Sequence, residues 1–594
     1  MKKNVLYLLL LFLGFSCKTT QPTTVSQKPV VGDGLFELFD EEEGTTPFFS
    51  DKKGVIAQNG MVASAHHEAS KAGVEIMKAG GNAIDAAIAT HFALAVVHPF
   101  AGNIGGGGFA VIRDKNGKHY SLDFREKAPA AAHRDMYLDS AGNVVQSLST
   151  LGHLASGVPG SVDGMVELHK KLGTLPWKKL FEAAIRLAAD GVVLTEREAL
   201  GLNNSRKIFQ QINGENTTYF MHPTGGTWKA GDVLKQPDLA KTLQLIQEQG
   251  RAGFYSGKVA QQLANEMKKG KGIITEKDLE NYNSVWRKPL VEGYKKNYTV
   301  ISMPPPSSGG VALVQLLRFI EPFPLKKWGW NTDSTVQVMI EAERRVYADR
   351  AKWLGDPDFV KVPMNELMDR NYLKKRWENF NFQKATESKN LDGGSFSSNE
   401  SSETTHYSVV DKEGNAVSIT TTLNGGYGSK VVVEGAGFLM NNEMDDFSVK
   451  AGVPNMFGLV GSEANEIQPH KRMLSSMTPT IIEKDGNFLM AVGTPGGSTI
   501  ITSVFQTILN VLEHQMTMQQ SVNALKFHHQ WLPDKTFHEQ NAFTPKTIEL
   551  LRARGYVIEA QKGTLGRMDC ILRRLDGTLE GASDPRADNT SIGY

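Results

Sequence analysis

A threonine hydroxyl is a weak nucleophile until a base stands beside it, and the free α-amine of an N-terminal threonine is such a base. The unperturbed pKa of that amine, about 7.7–8.0, lies near working pH, where general-base catalysis is most effective. Thr404 is placed to become such a terminus. It opens the string TTHYSVVDKEGNAVSITTTLNGGYG, residues 404–428. Two alternating runs in it, 407–411 and 416–423, are joined across Lys412-Glu413-Gly414-Asn415 and read as a hairpin. The run ahead of it, residues 387–403, is rich in Ser, Asn and Glu, contains Gly393-Gly394, and carries too little apolar surface to order itself. A polar run passing abruptly into a core-type strand that begins with Thr is the layout expected of a chain that cuts itself between Glu403 and Thr404. Taken alone, the hairpin favours a plainer reading, two threonines opening a strand, where Thr is common.

A second stretch offers the complementary chemistry. Gly493-Thr494-Pro495-Gly496-Gly497-Ser498 lies between a hairpin (480–483 and 487–492, turned at Asp485-Gly486) and an apolar helix, 500–512. Glycines there expose N–H groups at a helix N-terminus, which favours negative charge. That is what an oxyanion hole requires, and one such donor is worth roughly 2.7–4 kcal/mol. Without a nucleophile the stretch is only a tight turn; with one, Gly496 and Gly497 are the best oxyanion candidates. His528-His529 suggest a metal, but adjacent histidines do not share a helix face and no HExxH completes a site, so they read as structural. No metal or other cofactor is expected. The chain also lacks a GxxxxGK[ST] phosphate loop and a GxSxG nucleophile elbow.

The string 404–428 resembles the γ-glutamyltranspeptidase family, N-terminal-nucleophile hydrolases that mature by self-cleavage before a threonine. The family's pattern falls on Thr404, Thr405, His406, Gly414, Asn415, Thr420, Thr422, Leu423, Asn424, Tyr427 and Gly428. The resemblance extends over nearly all of residues 54–594, including Ser583-Asp584-Pro585-Arg586 near the end. It implies that Thr422 positions the nucleophile, and it agrees with Gly496 and Gly497 as oxyanion donors. It assigns Arg125, with Ser475 and Ser476, to the substrate's α-carboxylate, a task suited to a planar guanidinium. It assigns Glu443 and Asp446, with Asn424, to the α-ammonium; such charged hydrogen bonds are worth roughly 1.5–3 kcal/mol each. The family carries Glu or Gln at position 443. Residues 448–470 would form a lid, with Phe457 where some relatives place Tyr, so that position shields the pocket without a hydroxyl contact.

The implied activity is that of a γ-glutamyltransferase and glutathione hydrolase, passing the γ-glutamyl group of glutathione and related amides through a Thr404 acyl-enzyme to water, amino acids or peptides. One rival is a related self-cleaving acylase acting on β-lactam side chains or poly-γ-glutamate. Another is a non-catalytic, lipid-anchored binding protein, whose mark would be a missing nucleophile or clamp residue; none is missing.

The elements that must position these residues are legible in outline. The chain has 594 residues, 40% hydrophobic and 22% charged, ordinary for a globular protein with room for a large core. A net charge of +1 gives no global field to recruit nucleic acid. Asn82 reads as the cap of a buried helix, 83–97. A hairpin, 109–113 and 119–124, delivers Arg125, and an apolar strand, 431–440, delivers Glu443 and Asp446. Residues 157–282 look mostly helical; 311–320 and 335–354, after the Pro304–Gly310 break, read as scaffold helices. Hairpins alternating with long apolar helices predict a layered α/β protein with antiparallel sheets between helices. The resemblance implies the four-layer αββα sandwich of N-terminal-nucleophile hydrolases.

At the N-terminus, Lys2 and Lys3 precede an apolar run, 5–15, that is too short to span a bilayer and has the form of a secretory signal. Leu13-Gly14-Phe15-Ser16-Cys17 resembles a bacterial lipoprotein cleavage site, with Gly14 where Leu is usual. The expected organisation is a signal peptide, 1–17, with Cys17 lipidated; a tether, 18–53; a large subunit, 54–403; and a small catalytic subunit, 404–594. The two fragments would stay together as a heterodimer, exported to the periplasm or cell envelope and held on a membrane by the lipid. Cys570 would be the one cysteine left in the mature interior, so no intramolecular disulfide is expected.

Overall fold

The computed structural model describes residues 48–391, 404–456, 458–459 and 461–594. Cys17, Glu403 and Phe457 lie outside the described residues.

The expected hairpin forms as Thr405–Asp411 paired antiparallel with Ala416–Thr422, turned through Gly414 at φ 87°. Asp411 organises the turn by accepting N–H bonds from Glu413 and Asn415, and its other oxygen accepts the N–H of Ala83 at 2.9 Å. The turn therefore also caps the buried helix Ala83–Val97, beside the capping box of Asn82 and Asp85.

This hairpin sits at the centre of a seven-stranded antiparallel sheet. Its order is Thr590–Gly593, Gly60–Ser64, Thr405–Asp411, Ala416–Thr422, Gly107–Arg113, His119–Asp123 and Val285–Arg287. A second seven-stranded sheet runs Val55–Ala57, Leu579–Ser583, Asp569–Arg573, Asn487–Val492, Thr480–Lys484, Tyr298–Ser302 and Leu290–Tyr294. Side chains alternate across a strand, and both faces of the first sheet are buried. Val62, Ala110, Ile112, Tyr407, Val409, Val417 and Ile419 pack outward against the helices His67–Lys78, Ala83–Val97 and Ser161–Leu172. Met61, Ala63, Phe109, Val111, Val410 and Ala416 pack inward with Ile481, Met490 and Ile571 of the second sheet. The second sheet's far side is covered by Gly309–Ile320, Asp333–Trp353 and Thr499–Leu512. The result is the αββα sandwich.

The polar residues of the hairpin face the gap between the sheets and find partners there. Ser408 donates to the Asp569 carbonyl and Ser418 to that of Val492. His406 bridges Thr420 and Ser408, and burial lowers its pKa to about 3, so it is a neutral spacer. Its ring lies so close to Gly493 that an added Cβ would stand 2.2 Å from the imidazole, which explains glycine at the end of that strand.

Three expectations are corrected. Residues 431–440 are not a continuous strand: the chain folds back on itself, pairing Val432 with Leu439 around Gly435 and Gly437, both at positive φ. Residues 48–52, expected within the tether, are packed on the globule: Phe48 is buried and Asn523 ties down the backbone of residues 49–52. The polar run is ordered at its start. Ser388 is fully buried, held by Arg344 and by the Asp534 carboxylate, so distant charges supply what local apolar content does not.

Candidate active site

Continuing the hairpin register one pair beyond Thr405–Thr421 sets Thr404 against Thr422. Their hydroxyl oxygens are 3.4 Å apart, and the Thr422 oxygen accepts the N–H of Asn424 at 2.7 Å. Asn424 turns the chain away at φ 73°, a left-handed conformation Asn tolerates, and its side chain donates to the Asn442 carbonyl.

Across the cavity, Gly496 and Gly497 lead into Thr499–Leu512 at φ 144° and 54°. Among the described residues neither glycine's N–H has a hydrogen-bond partner, so both remain available to an oxyanion. Thr499 donates to the Gly496 carbonyl, and the Tyr347 hydroxyl donates to that of Ser498, fixing the turn from both sides.

One cavity of about 20 Å³ is lined by Thr404, Thr422, Asn424, Arg125, Glu443, Asp446, Ser475, Ser476 and Gly497. Gly496 is adjacent in the chain but does not line it. Room for about one water is too little for a γ-glutamyl group. The closure has a specific cause: the two expected clamps hold each other. Arg125 donates through Nη1 to Glu443 and through Nη2 to Asp446 at 2.5 Å; Arg125 and Glu443 are nearly inaccessible and the Asp446 side chain is 12% exposed. The lid adds a cover. Asn455 donates to Asp446 at 3.1 Å, Met456 places its sulfur 3.6 Å from the Asn424 amide, and Leu459 lines the cavity.

The family description Gamma-glutamyltranspeptidase matches residues 69–594. The chain belongs to the γ-glutamyltranspeptidase family. It is 47% identical over 541 residues to the glutathione hydrolase proenzyme of Escherichia coli (strain K12), covering 91% of this chain and 93% of that protein. It is 49% identical over 501 residues to the glutathione hydrolase proenzyme of Pseudomonas sp. (strain A14), covering 84% and 87%. Among solved structures, a cephalosporin acylase from Bacillus halodurans superposes with a TM-score of 0.81 at 27% identity, covering 94% of this chain and 99% of that one.

Electrostatics at this transpeptidase-family site follow from burial. Desolvation works against the Arg125 charge, and Glu443, Asp446 and Glu126 outweigh it, raising its pKa. Burial likewise lifts Glu443 well above the carboxylate range and raises Asp446, with Arg125 opposing in both. Asp445, which accepts from Ser149 and from the Met456 N–H, is raised by burial to about 6.

Sequence reasoning missed two charged members of this neighbourhood. Glu126 follows Arg125, is fully buried, lies 3.7 Å from its guanidinium, and has no hydrogen-bond acceptor role filled at either oxygen among the described residues. Burial pushes it up to about 7, against the pull of Arg125. The folded protein then binds a proton that the unfolded chain releases near 4.5, so this group's contribution to stability falls as pH rises from about 4.5 to about 7. Glu126→Gln is expected to remove that fall: its melting temperature relative to the parent rises through the same window, as thermal melts at several pH values would show. The other member is Arg350, from a helix read as scaffold; only its buried position within that helix distinguishes it. His528 bonds Thr502 and Gln530, and among the described residues no group of three or more His, Cys, Asp or Glu is arranged to hold a metal ion.

Proposed function

We propose that Thr404, freed by cleavage after Glu403, is the nucleophile of this γ-glutamyltransferase and glutathione hydrolase. In maturation, Thr404 Oγ1 adds to the Glu403 carbonyl, the C–N bond breaks, and the acyl group moves to oxygen. Water then cleaves the ester, leaving a carboxylate on residue 403 and a free amine on residue 404. In turnover the same oxygen adds to the γ-carbonyl of the donor while the Thr404 amine takes its proton. The Gly496 and Gly497 N–H groups hold the oxyanion, the amine returns the proton to the leaving nitrogen, and a γ-glutamyl ester remains. Water or an acceptor amine releases it. Thr422 orients the nucleophile.

The observation that carries this reading is the single cavity joining Thr404 and Gly497 to Arg125, Ser475 and Ser476 on one hand and Glu443 and Asp446 on the other. The donor's α-carboxylate takes Arg125 and its α-ammonium takes the two acids, so a zwitterion replaces an internal ion pair. That exchange favours a free amino-acid head group over the acylase reading, although the cephalosporin acylase shares the fold. The test is hydrolysis of a chromogenic γ-glutamyl anilide beside a glutaryl anilide lacking the amino group. Turnover of the first alone, blocked by serine with borate, supports the reading; preference for the second favours an acylase.

The fragments 54–403 and 404–594 interleave in both sheets, as where Gly60–Ser64 pairs with Thr405–Asp411, which supports a heterodimer that survives the cut. Export by the signal at 1–17, with a lipid on Cys17, completes the proposal; among the described residues no helix is long and apolar enough to cross a membrane.

A further inference from the structure

Near its C-terminal end the helix Asp333–Trp353 buries Arg350, which is 5% exposed. Among the described residues it has no carboxylate within ion-pair distance, whereas Arg125, Arg344, Arg345 and Arg472 all do. A buried cation without a countercharge is costly. Burial lowers its pKa, opposed by Tyr347 and Asp446, yet a guanidinium stays charged in any case.

Its donors go to serines. Nε donates to Ser308 Oγ at 2.9 Å and Nη2 to Ser476 Oγ at 3.1 Å. Ser308 in turn donates both its N–H and its hydroxyl to the Ser475 carbonyl, at 2.8 and 2.7 Å. Arginine has donors and no acceptor, so the Ser476 oxygen must accept in this bond and its single proton points elsewhere. The Ser475 oxygen is likewise an acceptor, from the Met477 N–H at 3.1 Å. Both hydroxyl protons are thereby left for an incoming anion, and both serines line the cavity while Arg350 does not.

We infer that Arg350 is a positioning residue for donor specificity: it orients the Ser476 hydroxyl directly and, through Ser308, holds the backbone that carries Ser475, so that both serines can donate to the substrate's α-carboxylate. This rests on the reading that Arg125, Ser475 and Ser476 form the carboxylate clamp. The incoming carboxylate also supplies the negative charge that Arg350 lacks, at a moment when Arg125 is exchanging its own partners.

The test compares two donors on the matured enzyme, a γ-glutamyl anilide and the same anilide with its α-carboxylate converted to a carboxamide. Arg350→Gln is expected to raise KM for the carboxylate donor about 10- to 100-fold, the effect of losing charge-assisted hydrogen bonding, with kcat changed less than about threefold. The carboxamide donor's kcat/KM should change less than about twofold, and Arg350→Lys should recover part of the KM loss. Equal losses on both donors, or a loss in kcat alone, would make Arg350 scaffold and overturn the inference. If Arg350→Gln does not mature, Ser308→Ala reads the same ratio through the Ser475 arm. A parent enzyme with no preference between the donors would overturn the clamp reading itself, an outcome distinct from loss of the Arg350 effect alone.

Discussion

Thr404→Ala is expected to remain one uncut chain and to lose activity by a factor on the order of 10⁴–10⁶, the range seen when a covalent nucleophile is removed. One oxygen is assigned both steps, so one substitution abolishes both. The fold should survive, because Thr404 precedes the strand Thr405–Asp411 and, among the described residues, its side chain makes one hydrogen bond, a long 3.4 Å contact with Thr422. The uncut variant should therefore still melt cooperatively as a folded protein, which separates lost chemistry from lost structure. Thr404→Ser keeps the hydroxyl and should still be cut and still turn over, more slowly. Denaturing electrophoresis, a melt and an anilide assay on the same three samples read all of this.

Arg125→Gln has the second-largest expected effect, and it acts on binding and stability together. Losing two charged hydrogen bonds to the donor carboxylate at roughly 1.5–3 kcal/mol each lowers kcat/KM by about 10²- to 10⁴-fold. The substitution also leaves Glu443, Asp446 and Glu126 buried beside one another without the cation that opposes their protonation. Removing one partner of a buried pair costs about 3–5 kcal/mol, so the melting temperature should fall by several degrees. The sign of the pH effect follows from the same contacts. Arg125 lowers the pKa of all three acids, so without it they hold protons to higher pH. A protonated acid is a poorer partner for the α-ammonium, and the acidic limb of the kcat/KM profile should move to higher pH. A profile that keeps its shape while falling uniformly would argue against these acids as the ammonium site.

What could be read from residue order was the chemistry that depends on local spacing. The hairpin announces itself through alternation and a Gly-containing turn, the helix Ala83–Val97 through its all-apolar run and Asn82, and the oxyanion candidates through glycines between a strand and a helix. What could not be read depends on contacts between distant segments. Arg350 looks like any charged residue on a helix until Ser308 and Ser476 are brought to it from 42 and 126 residues away. Glu126 is unremarkable beside Arg125 until the sheets close over it. The apolar content of residues 431–440 argued for a strand, and Gly435 and Gly437, turning at positive φ, decided otherwise. Likewise the pairing of Arg125 with Glu443 and Asp446 joins residues 318 and 321 positions apart, which residue order alone does not show.

In the proposed maturation the chain cuts itself before Thr404. This is tested most directly by separating the purified protein under denaturing conditions and sequencing the N-terminus of each band. Two fragments are expected, the smaller beginning Thr404-Thr405-His406-Tyr407. A fully active preparation that consists of one uncut chain, or of fragments cut elsewhere, would contradict it.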